Sequence, residues 1–313
     1  MHWAGSDAAK SEPERNEFEC RGSLVSKGPF PLRGRLVTGC AGLYIRFMKR
    51  WIPFVKSEPV VSVLRLSGTI AAGGRGASLN DVGLAPMIER AFRKGKPAAV
   101  ALAINSPGGS PVQSSLIASR IRRLSEEKNV PVYAFVEDVA ASGGYWLASA
   151  ADEIWVDPSS IIGSIGVISA NFGFQNLIAH HGIERRVYTA GKSKSTLDPF
   201  VAEKPADVKR LKTILEQMHA TFIDQVTTRR GAKLTTDTDI FTGEFWVGQV
   251  GVDLGLADGI GHLVPKMKER FGDKVRLAVY AQRRPLLQRF GAQVVDDALS
   301  GIEEHAQFAR FGL

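Results

Sequence analysis

The stretch VAASGGYWLASAAD, residues 139–152, places Ser142 directly before two glycines and an apolar, helix-like run. A serine there stands at the positive end of a helix dipole, among backbone N–H groups that have no intrahelical partner. Two readings fit. Ser142 caps the helix, since serine is a preferred N-cap residue, or its hydroxyl is a nucleophile for acyl transfer and the same amides hold the oxyanion. The segment NSPGGS, residues 105–110, bears on the choice. Gly108 and Gly109 fall where a strand ends, and small residues there let a substrate carbonyl approach the backbone. Gly109 and Gly143 are therefore the candidate oxyanion donors, set against the plainer reading of Ser-Pro-Gly-Gly as a tight turn.

A nucleophilic serine needs a base. The candidates are His180 and His181, near the end of the helix-like FQNLIAHHG, and Lys192 and Lys194, in the loop TAGKSKSTLDPF. A histidine at a helix C-terminus can equally well complement the dipole. A lysine serves as a base only where burial strips its ammonium of water.

The elements that must position these groups follow from the hydrophobic periodicity. PVVSVLRLSG (59–68), PAAVALAIN (97–105) and VPVYAFVE (130–137) read as strands, and LNDVGLAPMIERAFRKG (79–95) and SSLIASRIRRLSEE (114–127) as the helices between them. Strands separated by helices of this length need crossover connections, which give a parallel sheet covered on both faces. Sites in such sheets form in the loops leaving the strand ends, where NSPGGS and the Ser142 loop fall. DEIWVDP, SIGVISA and ERRVYTA read as further short strands. Residues 205–230 read as a long amphipathic helix with Val208, Leu211, Leu215, Met218, Phe222 and Val226 on one stripe. WVGQVGVDLGLADGIG (246–261) reads as a short helix ending in a glycine-rich turn, and the last thirty or so residues as amphipathic helix, VVDDALSGIEE most clearly.

A chain of 313 residues, 44% apolar and 23% charged, has enough apolar surface for a substantial core. The formal charge of +8 is concentrated: residues 21–56 hold Arg21, Lys27, Arg33, Arg35, Arg46, Lys49, Arg50 and Lys56 and no acidic residue. The remainder is close to neutral, which argues against a nucleic-acid partner. Cys20 and Cys40 define neither a disulfide framework nor a metal site. No run of about 18 apolar residues is present to span a membrane, and no cleavable signal is apparent. Between Leu36 and Ile52, however, Leu36, Cys40, Leu43, Phe47 and Trp51 share one face of a helix with arginines and lysines elsewhere on it, the pattern of an interfacial helix on an anionic surface. A core-docked helix, or an extension upstream of a start at Met48, fits the same residues. The expected organisation is a basic, disordered or membrane-interfacial segment (1–56), a catalytic domain (57–282) and a C-terminal amphipathic helical extension (283–313). The expected location is peripheral to a membrane or cytoplasmic.

Taken together, NSPGGS, ASGGYWLASAADEIWVDPSSIIGSIGV, GKSKSTLDPF and GLADGIG resemble the signal peptide peptidase A family, also called protease IV, of the crotonase/Clp protease superfamily. The resemblance runs from Pro59 to Val264. It implies an α/β fold of repeated β-β-α units, with a parallel sheet and flanking helices. It also implies a serine endopeptidase with a Ser/Lys dyad acting on extended or unfolded peptides, remnant signal peptides at the membrane among them. Carried over residue by residue, the resemblance makes Ser142 the nucleophile and Lys194 the general base, with Lys192 its less favoured neighbour. Ser164 orients the lysine, and the amides of Gly109 and Gly143 form the oxyanion hole, with no cofactor and no metal. It further implies a homo-oligomer, an octamer in the shorter members, whose sites take serine and lysine from adjacent subunits. Clp relatives keep a histidine in the segment equivalent to IIGSIGVI, which has none here. Members commonly carry an N-terminal transmembrane anchor, where this sequence has only the basic Leu36–Ile52 segment. Two alternatives come from other classes. One is a non-catalytic membrane scaffold; the other is an acyl-CoA hydratase or thioesterase, which would draw on Glu137, Asp138 or Asp152 and needs no serine nucleophile.

Overall fold

The computed structural model describes residues 58–73, 78–282 and 305–313. The expectations for residues 1–56, the Leu36–Ile52 helix included, and for VVDDALSGIEE fall outside the described residues.

Three apolar runs build the centre of the sheet: β1 (Val60–Ser67), β2 (Ala99–Ser106) and β3 (Val132–Ala141). They are joined by α1 (Asp81–Arg93) and α2 (Pro111–Lys128), so β1, β2 and β3 lie parallel and in sequence order. The chain continues through α3 (Gly143–Ser149), β4 (Glu153–Val156), β5 (Ile161–Gly163), α4 (Gln175–His180) and α5 (Pro205–Arg230). It closes with β6 (Phe245–Val247), α6 (Gly248–Asp253), β7 (Gly259–Ile260), α7 (Leu263–Phe271) and β8 (Arg276–Tyr280). The sheet order is β6-β5-β3-β2-β1-β8, with β4 on β3 and β7 on β4; of these pairings, β5 with β6 is antiparallel and the others parallel. The α/β class with a parallel sheet and flanking helices is the one expected.

Near-continuous apolar strands need cover on both sides. On one face Leu64, Leu66, Leu102 and Ile104 pack with Ile88 of α1, Ile117 and Ile121 of α2, and Tyr145 and Leu147 of α3. On the other, Val61, Val63, Ala101 and Phe135 lie with Met267 of α7. The same side of the sheet continues past β4 as Val139, Ala141 and Ile161, covered by Phe308 and Phe311 of the C-terminal segment.

The feature that shapes the site is in β3. Tyr133–Val136 pair with β4, but Val139–Ala141 pair with β5. Between these two stretches the register against β2 shifts, with Asn105 opposite three residues of β3. A bulge of this kind bends its strand. The displaced residues are held by polar partners: Arg65 donates to both carboxylate oxygens of Glu137 (2.6 and 2.8 Å), and Asn105 Nδ2 donates to Asp138 Oδ2 (2.5 Å).

Several expectations are corrected. SIGVISA forms no strand: β5 ends at Gly163, and the turn from Ser164 to Gly166 breaks the extended run. ERRVYTA is irregular and exposed, with no strand paired to it among the described residues. The stripe on α5 is fully buried only at its C-terminal end, at Phe222 and Val226, while Val208, Leu211 and Leu215 are half-buried and Met218 stays exposed. Strand β8, from the run VRLAVY, and helix α7 were not anticipated.

Candidate active site

Ser142 follows β3 and heads α3 with φ 51° and ψ −121°, a conformation that a residue with a β-carbon adopts only at a cost in energy. Its backbone is tied on both sides: the Ser142 N–H donates to the Gly163 carbonyl (2.9 Å), and its own carbonyl accepts from Trp146 N–H (3.0 Å). The side chain makes no cap hydrogen bond. Ser142 thus occupies the N-cap position without capping through its hydroxyl, which corrects the simpler of the two readings. The residue is half-buried.

Opposite it sits the NSPGGS loop. Ile70 lies alongside Gly109 in a parallel bridge, with Ile70 N–H donating to the Gly108 carbonyl (2.8 Å) and Ser110 N–H donating to the Ile70 carbonyl (2.7 Å). These bonds straddle Gly109, whose own N–H has no partner among the described residues. Both glycines are required. Gly108 (φ 104°) has no room for a side chain, since a β-carbon there would lie 2.8 Å from the Gly143 nitrogen and from Ser142 Cβ. Gly109 (φ 138°) would drive a β-carbon into the Ile70 carbonyl. Gly143 approaches closely: a β-carbon placed on it would lie 3.3 Å from the Gly109 nitrogen. Its N–H also has no partner among the described residues, as expected for the first turn of a helix. Two amides on separate loops, each without a partner among the described residues, thus lie close together beside one uncapped serine.

Ser164 leaves β5 in step with Ser142, one residue beyond the Ala141–Gly163 register pair. It too has a left-handed backbone (φ 52°), with its N–H donating to the Glu244 carbonyl (2.7 Å) and its carbonyl accepting from Gly166 N–H (2.9 Å). Lys194 is not brought to this group within the chain. It lies on an exposed turn after Gly191, and no hydrogen bond joins it to Ser142 or Ser164 among the described residues. Lys192 is exposed on the same turn. His180 and His181, the candidate histidines, are exposed at the end of α4 with their rings 5.2 Å apart. The histidine that does approach is His219 of α5, within 2.9 Å of the Ile165 carbonyl oxygen. Its 77-residue separation from Ser142 leaves no local signal, although its place three residues before Phe222 puts it on the docking face of an amphipathic helix.

The far end of α3 is clamped. Arg229 donates to the carbonyls of Ser149 (3.0 Å) and Ala151 (3.1 Å), and Arg122 to that of Ala150 (3.2 Å). Cations there satisfy the orphan carbonyls and complement the dipole whose other end is Ser142. Fully buried Tyr145 donates from its hydroxyl to the Leu256 carbonyl (2.9 Å), and burial pushes that phenol well above its ordinary range. The acidic candidates are all engaged: Glu137 with Arg65, Asp138 with Asn105, and Asp152 with Arg122 and the Val132 amide.

Residues 125–270 match peptidase family S49. The chain carries a peptidase family S49 domain. The matched span of the S49 domain contains Ser142, Gly143, Ser164 and Lys194 but not Gly109. Among curated relatives, the probable protease SohB of Haemophilus influenzae is 32% identical over 212 residues, 66% of this chain and 58% of that protein. The Na(+)/H(+) antiporter NhaA of Brucella melitensis is 44% identical over 312 residues, but the 94% of this chain that aligns spans only 42% of the antiporter's length. A solved structure, the 1510-N membrane-bound stomatin-specific protease, superposes with a TM-score of 0.40 at 13% identity, covering 74% of this chain and all of that one.

Proposed function

We propose that this chain is a serine endopeptidase in which Ser142 is the nucleophile and Lys194 the general base. One observation carries the reading: a strained serine with an uncapped hydroxyl lies beside two amides, Gly109 and Gly143, that have no partner among the described residues. Unprotonated Lys194 takes the Ser142 Oγ proton, Oγ attacks the peptide carbonyl, and the developing oxyanion is held by the two amides. The lysine then gives its proton to the leaving amine, and water resolves the acyl-enzyme. Ser164 orients the lysine from the neighbouring strand end. The engagement of Glu137, Asp138 and Asp152 in structural pairs disfavours a hydratase, which would need a free acid.

The exposure of Lys194 in the single chain supports a base delivered from an adjacent subunit of a homo-oligomer, where burial would strip the ammonium of the water that holds it protonated. The segment carrying it also exposes Phe172 (80%) and Tyr188 (91%), apolar surface suited to a second copy. Substrates are extended or unfolded chains, remnant signal peptides among them, and the membrane contact is made through residues 36–52. Among the described residues no helix is long and apolar enough to cross a membrane.

Purified Ser142→Ala and Lys194→Ala should each lose casein cleavage by about 10³-fold or more with the fold intact by circular dichroism. A fluorophosphonate should label the wild type and not Ser142→Ala. Mixing the two inactive variants should restore part of the activity, because mixed assemblies pair an intact serine with an intact lysine. Full activity in either single variant would sink the dyad, and failure of the mixture would place both groups in one chain.

A further inference from the structure

His219 has no part in the dyad, yet it is joined to the turn on which Ser164 sits. The Ile165 carbonyl oxygen, 2.9 Å from His219 Nε2, can only accept, so Nε2 carries the hydrogen and His219 is the donor. The turn it grips is tightly restrained: Ile165 is fully buried, and Ser164 is held in its left-handed conformation by backbone bonds to Glu244 and Gly166. His219 supplies a side-chain restraint on the same turn, and supplies it from α5. Three residues on, Phe222 stacks against Trp146 of α3, with ring centroids 4.9 Å apart and planes 25° apart. A single helix therefore touches both the element headed by Ser142 and the turn that presents Ser164.

We propose that His219 is a positioning residue: by donating Nε2–H to the Ile165 carbonyl it fixes the Ser164 turn relative to the helix behind Ser142, and so sets where the Ser164 hydroxyl stands beside the nucleophile. The inference rests on the Ser142 peptidase reading above. Without the donor the Ile165 carbonyl loses its partner, and the strained Ser164 is free to relax towards negative φ, carrying its hydroxyl with it. The loss falls on the chemical step, since the orientation of the base changes while the oxyanion amides of Gly109 and Gly143 stay in place.

The test compares wild type, Ser142→Ala, His219→Phe and His219→Gln in peptide-cleavage kinetics and thermal unfolding. Phenylalanine fills the ring's place without a donor, and glutamine offers an amide N–H at similar reach. His219→Phe should lower kcat about tenfold or more with KM within about twofold, as small misplacements of reacting groups do. His219→Gln should recover most of that loss, and the melting temperature of both should stay within a few degrees of wild type, that is within about 1 kcal/mol. The proposal is overturned if His219→Phe keeps wild-type kcat, if His219→Gln is as impaired as His219→Phe, or if either variant melts well below wild type, which would make the contact merely structural. A wild-type chain that cleaves nothing, or a Ser142→Ala variant that equals it, overturns the peptidase reading instead, and this inference with it.

Discussion

Ser142 shows how one residue can be strained and useful at once. A side chain at φ 51° and ψ −121° costs about 1–3 kcal/mol, held in place by the surrounding backbone bonds to Gly163 and Trp146. Glycine removes the steric clash at that position, though its freer unfolded state offsets part of the gain. Ser142→Gly is therefore expected to be more stable than wild type by about 1 kcal/mol, raising the melting temperature by roughly 2–4 °C while abolishing labelling by a fluorophosphonate. A fall in melting temperature would mean that the elbow is relaxed rather than strained. The sequence singled out Ser142 from its two glycines and the helix that follows. It left open whether the hydroxyl was occupied in capping, since that depends on a backbone angle set by β3 and β5.

At the scale of elements, α5 is two helices in one. Its C-terminal end is anchored by the Phe222–Trp146 stack, by buried Val226 and by Arg229 on the end of α3, whereas Ile214 and Met218 face solvent. Phe222→Ala should cost about 3 kcal/mol or more, because it empties a filled site against the helix that presents Ser142. Met218→Ala, on the same sequence stripe, should leave the unfolding free energy of the isolated chain within about 0.5 kcal/mol. Paired chemical denaturation curves decide it, and equal losses in both variants would show that the stripe is buried along its whole length. Periodicity marks a helix face as apolar; it does not say how far along the helix a partner extends.

For the molecule as a whole, the joint between the α5 end and the β4–β7 edge rests on a charged network. Arg230, almost fully buried, donates twice to the Gly255 carbonyl (2.9 and 2.7 Å) and once to Asp258 (2.6 Å), which also accepts from Lys233 (2.6 Å) and the Ile154 amide (2.7 Å). Burial acts to raise the Asp258 pKa, but the hydrogen bonds from Arg230, Lys233 and Ile154 outweigh it and hold the carboxyl below its ordinary 3.8. A carboxyl depressed in the folded state stabilises the fold above its unfolded value, and that contribution disappears as pH falls through the folded value. Stability should thus be held down to about pH 4 and decline below it. Asp258→Ala should destabilise the neutral protein by about 3 kcal/mol by leaving Arg230 buried without its counter-charge, and should flatten the acid limb. An unchanged acid limb in thermal melts between neutral pH and pH 3 would remove Asp258 from its cause.

Local pattern settled what local forces control. The apolar runs and the crossover helices between them dictated a parallel sheet covered on both faces, and SGGYW with NSPGGS marked the loops at its strand ends, because strand period, helix period and glycine requirements are written within a few residues. Contacts between distant segments were beyond its reach. The bulge that turns the end of β3 meets Arg65 and Asn105 from other strands. The placing of Gly109 depends on Ile70, nearly forty residues away, bridging beside it. The union of His219 with Ile165 joins residues 54 positions apart, and ERRVYTA pairs with no strand among the described residues. Hydrogen-bond satisfaction and burial are properties of the packed chain, so only the tertiary structure decided which of the candidate groups meet and which, like Lys194, still face solvent.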